Sequence, residues 1–380
     1  WKTGHTDKDN RVFMKQFQRE LCNFILKYQG YVIDTIVREK DQKQREMKQQ
    51  YAEQIMEVAK MTGSTQKTKN TLESFKSIVR EVQETDLDPY LYVFENCVFN
   101  LRTGEQVDPT TTKTKYMTVS TGYDYRPPTQ DEIDVMNGAI AQIFTNEAER
   151  KAHLTLLATG LIGVTLEKFI IANGGGRNGK GFLHDLFKGV CGKYGYTLDN
   201  TVIINKRKGG ADPNIANLHL KRFVIVRETP EGKAIEFSIV KEITGGDEIN
   251  ARALYSSRTE TKLHITLILE VNKVPLLNCD GSKDSDKERI YDVLFGSTFL
   301  APDSPEINGV DRFARNVAFK EPGWRQQHKF ALFEIVKAHC VEYCKSKNID
   351  AFMPQSIKDR TAAYLGKCNV VKTWFTDNYE

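Results

Sequence analysis

One stretch constrains this chain more than any other: Ile171-Ala172-Asn173-Gly174-Gly175-Gly176-Arg177-Asn178-Gly179-Lys180-Gly181. It follows an apolar run and precedes a helical pattern. It fits the spacing G-x-x-x-x-G-K, with Gly174, Gly179 and Lys180 in the defining places. Glycines there let backbone N–H groups turn inward onto phosphate oxygens, and the start of a helix favours negative charge. Lys180 is expected to reach the β- and γ-phosphates of a nucleotide as a mobile point charge. Gly174, Gly175, Gly176, Arg177, Asn178, Gly179, Lys180 and Gly181 together form the expected cradle for ATP. The pattern normally continues with Ser or Thr, whose hydroxyl binds Mg2+. Gly181 stands there instead and brings no side-chain ligand.

A loop of this kind belongs in an α/β domain, and the surrounding pattern agrees. Phe169-Ile170-Ile171, Phe223 to Val226 and Ile265 to Leu269 are short, continuously apolar runs, as expected of strands buried on both faces. Helical patterns between them (Ile133 to Phe144 and Leu154 to Val164 precede the first) imply a parallel sheet. Four regions are expected: a helical collar over 1–85, a strand-rich segment over 86–130 ending near Pro127-Pro128, the ATPase over 131–325, and a helical segment over 326–380. In the first, Phe13, Phe17, Leu21, Phe24 and Tyr28 recur at helical spacing, as do Leu72, Phe75, Val79 and Val82. In the second, Arg102-Thr103-Gly104 reads as a turn between strands.

Three further elements follow the loop in order. Arg222-Phe223-Val224-Ile225-Val226-Arg227-Glu228 reads as a buried strand ending in an acid, and Glu228 can hold magnesium through water or orient an attacking water. Glu231 is a weaker second. Lys241 to Asp247 leads into a hairpin with a polar tip from Ser256 to Lys262. Lys241, Arg258 and Lys262 are the candidate DNA contacts, the last two projecting from that tip, because backbone phosphates are gripped by mobile cations. Asn272, after the strand at Ile265, can hydrogen-bond the γ-phosphate or the attacking water. Arg289 is the candidate arginine finger, presented to a neighbouring subunit's γ-phosphate. The catalytic set is therefore Lys180, Glu228, Asn272 and Arg289.

The order of these motifs resembles the superfamily III helicases of viruses and mobile elements, and most of all the poxvirus-type primase-helicases with their phage and plasmid relatives. The resemblance is carried by Gly176-Arg177-Asn178-Gly179-Lys180, the strand ending at Glu228, Lys241 with Thr244-Gly245-Gly246-Asp247, and Asn272 with Pro275. Asn96 to Leu101 with Thr103-Gly104, and Pro354, Ile357, Thr361, Tyr364 and Val370 near the end, extend it over residues 85 to 380. It implies an AAA+ core, a hexameric ring, ATP between adjacent subunits, single-stranded DNA in a central channel, and a primase domain on the same polypeptide. Two residues depart from the pattern: Gly181, and Glu288 where relatives often carry a second arginine.

Composition narrows the alternatives. The net charge of +4 permits nucleic-acid binding without arguing for it, and a non-enzymatic DNA-binding module would need a stronger basic face. A nucleotide-dependent loading factor with slow hydrolysis is the alternative that Gly181 favours. A monomeric kinase on the same loop would need neither the asparagine-bearing strand nor the hairpin. No apolar run reaches the length of a membrane span. The seven cysteines are scattered and read as reduced thiols. No charged-then-apolar leader opens the chain and Trp1 is not preceded by methionine. The expectation is an intracellular protein, in host cytoplasm or at a viral replication site, read here as part of a longer chain.

Overall fold

The computed structural model describes residues 11–62, 70, 86, 88–108, 117–206, 213–230, 232–250, 260–278, 286, 288–307 and 309–368. Two compact units are present, one over His5–Thr85 and one over Asp86–Glu380.

In the first unit, α1 (Arg11–Arg38) and α2 (Gln42–Thr62) pack on one another. Val32, Ala52 and Ile55 are buried, with Ile25 and Ile36 against them. Gln29 Nε2 donates to the Ala52 carbonyl across the pair at 3.1 Å. The helix expected from the spacing of Phe13 to Tyr28 is present as α1, with Phe24 70% exposed and Tyr28 44%. The face that packs runs through Ile25, Gln29, Val32 and Ile36, one position along. The spacings Leu72 to Val82 lie outside the described residues.

The second unit opens with an antiparallel meander, β1 (Leu91–Val93), β2 (Val98–Asn100) and β3 (Glu105–Val107). Gly104 turns the chain into β3 at φ +77°, where the Arg102-Thr103-Gly104 turn was expected. Then come α3 (Gln130–Ile143), α4 (Glu147–Thr159), β4 (Phe169–Asn173), α5 (Lys180–Cys191), β5 (Gly195–Leu198), and the single turns α6 (Thr201–Ile204) and α7 (Pro213–Ala216). They are followed by β6 (Phe223–Arg227), β7 (Ile235–Glu236), α8 (Phe237–Thr244), β8 (Glu248–Asn250), β9 (Glu260–Lys262), β10 (Thr266–Val271), β11 (Leu277–Asn278) and β12 (Ile290–Leu294). The unit closes with β13 (Thr298–Leu300), β14 (Arg312–Ala314), α9 (Pro322–Ser346) and α10 (Gln355–Cys368).

Five strands make one parallel sheet in the order β12-β4-β10-β6-β5. This is the parallel α/β sheet that the apolar runs imply. Alternate residues of its strands enter two cores. Ile170, Ala172, Phe223, Ile225, Ile268 and Val293 face the side packed with α3, α4, α5 and α9. Phe169, Ile171, Val224, Val226, Leu267 and Leu269 face the side carrying α8 and the end of α10. Burial on both faces is why these strands show no polar alternation. The meander joins the first core: Tyr92, Phe94, Phe99 and Tyr125 surround Phe333 of α9, with ring centroids 5.0 to 5.8 Å from it.

Because β4, β10 and β6 are parallel neighbours, the segments leaving their C-terminal ends emerge at one edge of the sheet, where α/β folds place ligands. Those segments hold Gly174 to Lys180, Asn272 and Glu228. Sheet topology therefore gathers residues that are far apart in the chain.

Candidate active site

β4 runs fully buried into Gly174, and the chain turns over Gly176 (φ +90°), Arg177 (φ +52°) and Gly179 (φ +84°) before α5 begins at Lys180. Two glycines are required by close approach. A Cβ on Gly174 would lie 2.1 Å from Asn178 Nδ2 and 2.6 Å from the Phe295 carbonyl, and one on Gly179 would lie 2.7 Å from Ile143 Cγ1. Gly175, Gly176 and Gly181 face open space, with nothing within 4 Å of a Cβ there. Asn178 is buried and braces the loop. Its Nδ2 donates to the Phe295 carbonyl at 3.3 Å, and its Oδ1 accepts from the Lys180 amide at 3.4 Å.

Lys180 Nζ donates to the Gly174 carbonyl at 2.7 Å, to Asn178 Oδ1 at 3.3 Å and to Asn272 Oδ1 at 3.4 Å. The ammonium thus links the loop to the residue after β10. Burial pushes its pKa down, and the nearby carboxylates of Glu270 and Glu228 oppose that shift. In front of it lies a cleft of about 780 Å³, lined among others by Arg177, Lys180, Gly181, Glu228, Glu270 and Asn272. The first-turn amides of α5 have no carbonyl of their own helix to bond, and Lys180, Gly181 and Phe182 of that turn line the cleft.

Glu228 follows β6 with a left-handed backbone (φ 44°), its amide donating to the Glu270 carbonyl at 2.9 Å and its own carbonyl accepting from Asn200 Nδ2. Strain of this kind is of order 1–3 kcal/mol and concentrates at working sites. Glu270 is buried in β10. His184 Nδ1 on α5 donates to its Oε1 at 2.7 Å, and Arg227 Nε lies 3.3 Å from its Oε2. With the His184 Nδ1 proton committed to Glu270, its Nε2 accepts from His153 Nε2 at 3.1 Å. Burial raises the Glu270 pKa, but the bond from His184 and the charges of Arg227 and Lys180 outweigh it, so the net shift is downward.

The structure therefore brings Gly176 to Gly181, Glu228 and Asn272 around one cleft, with the Gly174 carbonyl bonded to Lys180 beside it. Arg289 is elsewhere. Its carbonyl accepts from the Phe169 amide at 2.6 Å, at the start of β4, so it sits on the opposite edge of the sheet, roughly 16 Å of strand away. Its Nη2 is paired with Glu167 at 2.9 Å, and its buried Nη1 has no partner among the described residues. It cannot serve the cleft of its own chain. Lys241 lies on α8 with its Nζ 2.8 Å from the buried Asp286. Lys262 was expected at the hairpin tip, but it lies in β9, opposite Glu248, because the ladder β8–β9 extends to it. Arg258 and Glu231 lie outside the described residues.

Sequence reasoning assigned no role to Glu270, His184 or Arg227, nor to Arg315, Lys320 and Arg325, which line the cleft's other wall. Glu270 did carry a signal: an acid in an otherwise apolar, buried run must have partners. The three cations after β14 carried none, because a basic residue in a loop is ordinary.

Residues 2–144 match the family described as D5 N terminal like. A protein of Acanthamoeba polyphaga mimivirus, L207/L206, whose name carries the word helicase, is 27% identical over 78% of this chain and 31% of its own length. The chain is therefore similar to viral proteins whose names carry helicase or primase D5. Primase D5 of Fowlpox virus is 24% identical over 54% of this chain and 27% of that protein. Uncoating factor OPG117 of Monkeypox virus is 25% identical over 63% of this chain and 32% of that protein. The chain spans under a third of the length of these relatives. Among solved structures, the NrS-1 C terminal region is 11% identical, covers 82% of this chain and 71% of that one, and gives a TM-score of 0.46, too slight a likeness to build on. No helix among the described residues is long and apolar enough to cross a membrane.

Proposed function

We propose that this chain is the ATP-hydrolysing motor of a ring-shaped DNA helicase that serves viral or mobile-element genome replication. The observation that supports this most is the seat of Lys180, an ammonium at a helix start bonded at once to Gly174, Asn178 and Asn272. A polyphosphate entering the cleft would offer the ammonium charged oxygens in place of these neutral acceptors and connect the loop to β10 through itself. The helicase and primase names of the mimivirus and fowlpox relatives supply the replicative context.

The residues fit ATP with magnesium. Gly175, Gly176 and Gly181 leave open space where a chain of phosphates needs it. No group of three or more metal-binding side chains is found among the described residues, and magnesium bound with a nucleotide needs only one or two carboxylates beside phosphate oxygens and water. When bound, the ion would neutralise charge on the phosphates. Lys180 then holds the β- and γ-phosphates, Asn272 and Glu228 orient the attacking water, and positioning with electrostatics supplies the rate. Arg289, on the far edge of the sheet, is available only to a neighbouring subunit, as a finger acting in trans requires. In the same reading the β8–β9 hairpin, carrying Lys262, faces DNA in a hexameric ring. A primase domain elsewhere on the polypeptide is part of the proposal.

The test is ATP turnover by the purified chain with and without single-stranded DNA, with mass in solution measured on the same sample. Turnover that rises with DNA in a ring-sized assembly supports the motor. A chain that binds ATP yet ignores DNA points to the loading-factor reading, which rests on Gly181.

A further inference from the structure

We propose that Glu270 is the second carboxylate of the cation-holding side of this cleft and takes over, through water, the magnesium ligation that Gly181 cannot provide; the inference rests on the nucleotide-binding reading above. Among the residues lining the cleft the acids are Glu228 and Glu270. The two are tied together by the bond from the Glu228 amide to the Glu270 carbonyl. β6 delivers a single acid to the edge, because the residue before Glu228 is Arg227. That arginine stands directly across from Glu270 in the ladder. β10 therefore supplies the negative charge that β6 lacks.

Every residue of β10 is buried, and a carboxylate there is costly unless it is held. His184 and Arg227 hold it, and both are buried or half-buried, so the carboxylate cannot swing away. Ligating carboxylates are typically oriented by such outer partners. Each carboxylate oxygen has more than one acceptor site, so a metal-bound water can be accepted while both partners stay in place. At position 181 the missing hydroxyl has no steric cause. Nothing lies within 4 Å of a Cβ at Gly181, and its backbone does not demand glycine. A serine would fit and would aim into the same cleft.

The probe is a fluorescent ATP analogue, titrated against the full chain in EDTA and again in magnesium, with anisotropy read at equilibrium. The apo melting temperature is recorded for each variant. In the unmodified chain magnesium strengthens binding. In Glu270→Gln that gain falls by about tenfold, while binding in EDTA is unchanged or tighter, because a negative charge beside the polyphosphate is gone. Adding Gly181→Ser to Glu270→Gln restores the gain, which repair of mere packing would not do. Glu270→Gln that keeps the full magnesium gain overturns the inference. So does a variant that weakens equally with and without the metal, which marks a packing role. An unmodified chain that binds the analogue but ignores magnesium defeats the inference and leaves the nucleotide reading standing. An unmodified chain that binds in neither condition defeats both.

Discussion

Replacing Asp292 with Asn removes a buried carboxyl behind the glycine-rich loop while keeping its size. Asp292 is 3% exposed, in the strand beside β4. It accepts from Nδ2 of Asn173, the residue that leads into Gly174, while its amide donates to Thr361 Oγ1 at 2.9 Å. Burial pushes the carboxyl up from 3.8 to about 6, against the opposing pulls of Asn173 and Arg360. A folded value above the unfolded one means that the native state holds the proton more tightly. The resulting stability is complete below the unfolded value and is lost as pH rises through about 6. About two units correspond to about 3 kcal/mol, roughly half of it between pH 5 and pH 8. Relative to the unmodified chain, Asp292→Asn should therefore gain stability on going from acid to alkaline conditions. Urea unfolding followed by circular dichroism at both pH values measures the difference, and other titrating groups cancel in the comparison. Parallel pH dependence in the two proteins, or a variant that loses ground at pH 8, would refute the reasoning.

Further outcomes follow from packing and topology. Phe333→Ala opens a void among Tyr92, Phe94, Phe99 and Tyr125 and should cost about 3–5 kcal/mol in chemical unfolding. Gly174→Ala puts a methyl into Asn178 and the Phe295 carbonyl and should abolish ATP-analogue binding, whereas Gly181→Ser, facing open space, should change stability by no more than about 0.5 kcal/mol. Lys180→Ala should lose turnover, and Arg289→Ala should lose it too. Mixing those two proteins should restore part of the rate, since the defects lie on opposite edges of the sheet, and a mixture without activity argues against a finger in trans.

Much of the sheet was legible because β4, β6 and β10 are buried on both faces, so their apolar runs are unbroken and easily told from the helices between them. β5 was not. Tyr196 is half-buried and Thr197 is exposed at the sheet's edge, which leaves too weak a pattern. The helix α1 was legible from its spacing, but which of its faces packs was not, because that depends on what α2 presents. The placement of Lys262 failed for a related reason: how far a hairpin ladder extends depends on pairing between strands, not on the polarity of the residues in it.

The loop from Gly174 to Lys180 could be read from the chain alone, since its chemistry is local: glycines where backbone must turn or approach closely, a lysine at a helix start, an apolar strand before it. Glu228 and Asn272 were reached by their order behind it. What only the tertiary structure decided is which distant groups share a cleft. Glu270, His184 and Arg227 come from a central strand, a helix and a neighbouring strand, and they meet because parallel register sets Glu270 opposite Arg227 while α5 packs over both. Electrostatic contacts of that kind depend on distance through space, which linear spacing does not encode.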